Sequence, residues 1–182
     1  MPRPTYLLRH EHRVIEQAMH ALEGMCLHLR AGGRVPDEEM AKLFDFIRNF
    51  ADGFHHAKEE AYLFPALAQI GVRDQRGPLA FLRAEHATEK GLLDMLELAV
   101  EAYRHNYAAG EQFVSAALQF KDHLVGHMRH EEAILFRLAE EVLDEEAANA
   151  LFHAFAAQNA KAPEMIERYE RLAKELEETW SV

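Results

Sequence analysis

Two ten-residue stretches of this chain place the same donor groups at the same spacing. His55-His56-Ala57-Lys58-Glu59-Glu60-Ala61-Tyr62-Leu63-Phe64 and His127-Met128-Arg129-His130-Glu131-Glu132-Ala133-Ile134-Leu135-Phe136 agree at His, Glu-Glu, Ala and Leu-Phe when His55 is laid on His127. Each contains His-x-x-x-Glu. On a helix, residues four apart lie on one face about 6 Å from each other, so each copy offers an imidazole and a carboxylate to one point. A single pair of this kind is ordinary on an exposed helix. Two in register, met by further histidines at the same depth, make a metal-binding set.

The inward register follows from the apolar stripe Leu124, His127, Glu131, Leu135 and Leu138, which advances by three or four residues and contains His127 and Glu131. By the repeat, His55 and Glu59 are the inward pair of the earlier copy, with His56 and Glu60 as the rival register. His12 lies on the stripe of Leu8 and Ile15, and His86 on that of Leu82 and Leu93. Counted from the turns at Gly33 and Gly110, all four imidazoles fall within roughly 10 Å of one level. Four histidines and two carboxylates in an apolar core need neutralising, since isolated buried carboxylates are costly. A pair of cations would do this, with imidazoles as terminal and carboxylates as bridging ligands. That donor set suits iron or manganese, and a dinuclear iron site is the preferred reading. The alternative is a set of solvated faces or a His-Glu hydrogen-bond network.

The elements that position these residues are all helical. The chain, residues 1–182, reads as one domain. Helix one spans about Thr5 to Ala31 and ends at Gly32-Gly33. Helix two starts at Pro36-Asp37-Glu38-Glu39, with Pro65 placed to kink or end it before Gly71. Helix three runs from Pro78 to about Ala109 and is closed by Gly110; helix four runs from Glu111 to about Val142. Short turns make neighbours antiparallel, giving an all-α, up-down-up-down four-helix bundle over about 5–142. One or two more helices, interrupted near Pro163, follow over about 144–179 and dock on the bundle through Met165, Ile166, Tyr169, Leu172, Ala173 and Leu176.

Composition narrows the chemistry. Lys plus Arg number 20 against 31 Asp plus Glu, a net charge of −11 that leaves no basic surface for a nucleic acid. The single cysteine, Cys26, excludes thiolate metal sites and disulfide frameworks, fits a cytoplasmic setting, and reads as a small core residue. No apolar run is long enough to span a membrane. Gly-rich phosphate loops, Gly-x-Ser-x-Gly and His-Glu-x-x-His are all absent.

His12 in Glu-His-Arg-Val-Ile-Glu, His55-His56-Ala57-Lys58-Glu59-Glu60 with Leu-Phe-Pro following, His86 in Ala-Glu-His, and His127-x-x-x-Glu131-Glu132 with Leu-Phe following together resemble the hemerythrin-like, HHE cation-binding family over Leu7 to Leu138. The resemblance implies two non-haem iron ions held by His12, His55, Glu59, His86, His127 and Glu131, bridged by the two carboxylates and by an oxo or hydroxo group. Ferritin-like bundles use Glu-x-x-His instead, which does not occur here. The oxygen-carrying hemerythrins have a second histidine one turn after the third-helix ligand; this chain has Lys90 there, which implies an open coordination position and puts oxygen carriage in question. His123 and Tyr62 are candidates for contacts beside the site, with partial exposure and simple packing as their plainer readings. His10, His20, His28, His56, His105, His130 and His153 are expected at the surface or at helix ends. Glu140, Glu141, Asp144, Glu145 and Glu146 read as a solvated turn and helix start.

Three functions follow, in this order: binding or sensing of a small ligand (oxygen, nitric oxide, peroxide or iron itself), turnover of peroxide or another small oxidant, and a metal-stabilised structural bundle. Neither a protein partner nor an electron donor is identified by the sequence.

Overall fold

The computed structural model describes residues 3–73 and 76–181. Six helices and no strand occur among the described residues. We label them α1 (Tyr6–Arg30), α2 (37–69), α3 (Pro78–His105), α4 (110–142), α5 (Glu145–Asn159) and α6 (Pro163–Trp180).

Side-chain pairs between helices give the topology. Glu11 with Lys58 and His55 joins α1 to α2, and Arg48–Glu97 with Arg104–Asp37 joins α2 to α3 in the opposite sense. Glu85 with His127 joins α3 to α4, and Arg9–Glu132, Lys121–Glu23 and Arg30–Glu111 return α4 to α1. The result is a closed antiparallel ring of four, as short connections require. Gly32, at φ 85°, supplies the left-handed residue that ends α1.

Two boundaries differ from the sequence reading. α3 stops at His105, because Asn106 is extended and its side chain accepts from the Ala108 N–H, starting the short 3-10 turn Tyr107–Ala109. Gly110 then begins α4 rather than closing α3. Pro65 does not end α2, which continues to Gln69. Just before it, over Glu59–Leu63, α2 adopts wider π turns in which the Phe64 N–H donates to the carbonyl of Glu59, five residues back. The repeat partner Glu131–Leu135 in α4 does the same, with Phe136 donating to Glu131, and no proline follows there. The π turns therefore belong to the repeat. A second such segment, Ile47–His56, precedes them in α2. π turns within helices are frequent at functional sites.

The apolar core is split in two. One part, around Met19, Phe46, Phe50, Leu96, Phe113 and Phe120, fills the end holding the α1–α2 turn; the other, around Leu8, Leu63, Leu79, Leu135 and Phe136, fills the opposite end. Between them lies a polar layer. α5 covers that opposite end through Leu151 and Phe155. α6 lies in the groove between α1 and α2, where Tyr169 meets the edge of Phe46 and its hydroxyl donates to Asp45 at 3.1 Å. Met165, Ile166, Leu172 and Trp180 complete the apolar seam, the docking that the amphipathic pattern suggested. Glu140 is tied down by Arg3 and Thr5, so the acidic turn is only partly a solvated one; Asp144 caps α5 by accepting from Ala147 at 2.8 Å.

α6 approaches α1 closely at Gly24, where an added Cβ would run into the Trp180 carbonyl, whereas a Cβ on Gly91 of α3 would meet only open space. Ala is favoured over Gly inside a helix by about 1 kcal/mol. Gly91→Ala should therefore raise thermal stability by about that amount, while Gly24→Ala should lower it despite the same intrinsic gain. Parallel thermal melts check this; a stabilised Gly24→Ala would show that α6 is not packed on α1.

Candidate metal centre

Seven side chains meet in the polar layer between the two cores. α1 contributes His12; α2 contributes His55, His56 and Glu59; α3 contributes His86; α4 contributes His127 and Glu131. All seven are buried, His86 being the most exposed at 6%. They form two groups whose donor atoms lie within 4.8 Å of one another: His12, His55, Glu59 and Glu131, and His56, Glu59, His86 and His127. Glu59 belongs to both.

The structure thus brings together all six residues singled out in the sequence and adds His56, which sequence reading placed at the surface. Consecutive residues of an α-helix point ~100° apart, so only one of His55 and His56 is expected to face inward. The wider turns of α2 remove that choice: both rings are buried, and the His56 ring stacks on His86 with centroids 4.3 Å apart. Glu60, the other half of the rival register, faces His86 Nδ1 from outside the cluster.

A shell of carboxylates fixes the ring orientations. The Nδ1–H of His55 donates to Glu11 at 3.0 Å, that of His12 to Glu132 at 3.0 Å, that of His86 to Glu60 at 2.9 Å and that of His127 to Glu85 at 3.0 Å. Each bond sets the tautomer and turns Nε2 inward, the usual outer support of metal-bound imidazoles. The four carboxylates are neighbours of the ligating motifs: Glu11 and Glu85 precede His12 and His86, and Glu60 and Glu132, within the repeat, follow Glu59 and Glu131. They were visible in the sequence as part of the motif, but the direction of their contacts was not. Glu11 also pairs with the buried Lys58, whose ammonium donates to Asn159 of α5 at 2.9 Å. At the matching place in the second half Glu85 meets the exposed His130 at 2.9 Å.

Other candidates fall outside the cluster. Tyr62 packs edge-on against Phe155. His123 Nε2–H donates to the backbone carbonyl of Glu85 at 3.0 Å, a support to the helix that holds His86. Lys90 is exposed and lies 3.9 Å from Asp52. His10, His20 and His130 are surface residues paired with Glu170, Glu177 and Glu85.

Facing the centre, Nε2 of His56, His86 and His127, both oxygens of Glu59 and Oε1 of Glu131 have no hydrogen-bond partner among the described residues. Leaving a buried polar atom unpaired costs about 1–3 kcal/mol. Five of the six stand 3.3–3.9 Å from a side chain of the opposite kind across the centre, outside hydrogen-bond geometry. Cations at the two groups would draw His56, Glu59, His86, His127 and Glu131 together as ligands. The donors fit such ions, and the absence of thiolate from both groups favours metals that accept imidazole and carboxylate.

Protons do part of the same work when no cation is bound. Burial alone would push His12 and His127 down, but Glu131 and Glu132 hold His12 up at about 9, and Glu131, Glu59 and Glu85 hold His127 up at about 10. Burial and the neighbouring Glu131 raise Glu59. Burial would raise Glu131 too, but His127 and His12 overcome it and keep Glu131 well below the usual carboxylate range. His55 and His56 are pushed down by burial, His56 to about 4.

A family model described as Hemerythrin HHE cation binding domain matches the chain over residues 3–139 and again over 77–181. The second match starts at α3, as the internal repeat of Glu-His and His-x-x-x-Glu-Glu pairs allows. No curated protein and no solved structure matches it.

His12 and His127 hold protons in the fold to about 9 and 10 against an ordinary value of 6.5, and Glu59 is raised in the same sense. For the two histidines the unfolded chain binds fewer protons above pH 6.5, so their contribution is full below that pH and lost as pH rises through 9 and 10; for Glu59, ordinarily at 4.5, it is full below 4.5 and lost as pH rises through about 8. The chelated protein should melt at progressively lower temperature over that interval. The loaded protein should show a flatter profile, because cations displace the same protons. Calorimetry of both forms across pH decides it; a chelated form with a constant melting temperature would count against the protonation pattern.

Proposed function

Because the chain belongs to the Hemerythrin HHE cation binding domain family, we propose that the polar layer holds two iron ions and that the protein binds or senses a small ligand there: oxygen, nitric oxide or peroxide. The observation that carries this reading is Glu59, the carboxylate common to both donor groups. A carboxylate with two oxygens that lack hydrogen-bond partners between two sets of imidazoles is suited to bridge. Glu131, within 3.2 Å of His12 and 3.3 Å of His127, is suited to bridge beside it.

A bound iron pair would supply redox-active positions able to take up a small oxidant or diatomic. The residues of the chain do the rest. His12 and His55 hold one side with two carboxylates, and His56, His86 and His127 hold the other with Glu59. His56 of α2 lies beside His86 and would supply the further imidazole that Lys90 does not, leaving the set at His12 and His55 with fewer. Glu11, Glu60, Glu85 and Glu132 fix the rings so that no reorientation accompanies binding. Phe136 stacks on His12 and Phe64 on His86, and Phe54, Leu63, Leu124 and Leu135 are buried in the cores on either side. These apolar groups exclude bulk water and favour small, weakly polar ligands.

The test is metal analysis of protein from iron-supplemented cells with optical spectra of the oxidised and reduced forms, followed by addition of oxygen, nitric oxide or peroxide. We expect two irons per chain, one for each donor group, and a stable spectral change on ligand addition. Glu59→Ala with Glu131→Ala should lose two-metal binding; two tightly held ions in that double variant would refute the bridging assignment. Sustained peroxide consumption would move the reading to an enzyme, and redox-silent zinc to a structural bundle.

A further inference from the structure

His56 differs from the other imidazoles in what stands behind it. The other four each have a carboxylate within 2.9–3.0 Å of Nδ1. His56 Nδ1 instead has two carboxylates, Glu89 of α3 at 3.7 Å and Asp52 of α2 at 3.9 Å. Neither distance is a hydrogen bond. Two donors sharing one cation, each about 2.1 Å from it, lie up to roughly 4 Å apart, which is the spacing seen here. Glu89 is 3% exposed, and its Oε2 has no hydrogen-bond partner among the described residues.

These groups form a graded series from the surface inward between α2 and α3. Side-chain exposure falls from 68% at Lys90 to 35% at Asp52, 5% at His56 and 4% at Glu89, and reaches 0% at Glu59. Every link from Lys90 through Asp52 and His56 to Glu89 is under 4 Å. His56 has one nitrogen at the acidic pair and the other, Nε2, in the inner donor group with Glu59, His86 and His127. On the opposite side of the bundle the corresponding approach is filled, since Lys58 is buried against Glu11 and Asn159.

We propose that divalent cations reach the centre between α2 and α3 through two successive positions at Nδ1 of His56, shared first with the exposed Asp52 and then with the buried Glu89, with the Lys90 ammonium as the competing cation at the entrance. A turn of the His56 ring, which no Nδ1 hydrogen bond holds, then carries the ion to the inner group. This route rests on the reading of the polar layer as a metal centre.

Cobalt(II) uptake by the full-length, chelator-stripped protein tests it without any need for activity. Under anaerobic conditions, stopped-flow absorbance reports the rate of site formation, and metal analysis reports the end point. Glu89→Gln and Asp52→Asn should each slow uptake by about tenfold or more while leaving final stoichiometry and spectrum unchanged, and Lys90→Ala should accelerate it. Glu101→Gln, the same charge change farther along α3, should alter the rate less than about twofold. Wild-type uptake should saturate with cobalt concentration, as a prior binding step requires. A normal rate in Glu89→Gln, or equal slowing by Glu101→Gln, would overturn the route. An altered final spectrum in Glu89→Gln would overturn it too, by placing Glu89 in the centre itself. If the wild-type protein takes up no cobalt or iron at all, the metal-centre reading fails as well, which separates the two conclusions.

Discussion

Glu59 and Glu131 occupy one buried volume, and two carboxylates so placed repel each other with little water to screen them. Their charge has to be met from within the bundle, and that requirement organises the layer around them. Five imidazoles surround the pair, four of them oriented by a second set of carboxylates drawn from the adjacent residues of the same motifs. Protons on His12 and His127 can balance Glu131, and a proton on Glu59 relieves the repulsion. That arrangement still leaves inward-facing atoms outside hydrogen-bond geometry, and cations would complete it. The π turns at Glu59–Leu63 and Glu131–Leu135 fit the same requirement, because a wider turn lets more of a helix's residues face one point.

The bundle, its order of helices and the level at which the donors meet were legible in the sequence because each depends on a 3.6-residue period and on short turns. His12, His86 and the two His-x-x-x-Glu pairs sit on apolar stripes, and counting from Gly33 and Gly110 placed them at one depth. His56 was misread for a related reason: a strict period forces a choice between His55 and His56, and the π segment Ile47–His56 that admits both has no compositional signature. Gly110 was taken for a stop because glycine commonly follows a helix, whereas Asn106 had already ended α3 by capping the next turn. Docking of α6 was readable from its stripe; its close approach at Gly24 was not, since a glycine within a helix gives no sign of what approaches it.

The internal repeat gives the layer an approximate twofold relation, α1 with α2 against α3 with α4, and the departures from it are informative. Glu11 and Glu85 each hold an imidazole of the following helix, but the second partner of Glu11 is Lys58 and that of Glu85 is His130. His56 faces Met128 across the relation, so a third imidazole enters only one donor group. One group therefore pairs two imidazoles with two carboxylates and the other three imidazoles with Glu59. Donor sets that differ in charge and softness impose different preferences on the ions they hold.

The same departures give the layer an inside and an outside. α5 and α6 continue past the repeated part of the chain and cover the α1–α2 side, with Asn159 accepting from Lys58 and Tyr169 closing the groove beside Phe46 and Phe50. The Lys58 ammonium, paired with Glu11 and lying over the Phe54 ring, occupies that approach and neutralises the carboxylate there. On the α2–α3 side stand Asp52 and Glu89, and exposure rises toward Lys90. Charge is balanced within the Lys58–Glu11 pair at one face of the layer, whereas at the other two carboxylates face the single Lys90 ammonium. The closed side also keeps the imidazoles of His12 and His55 away from solvent, so that a ligand reaching them must be small enough to pass the packed apolar groups around the centre.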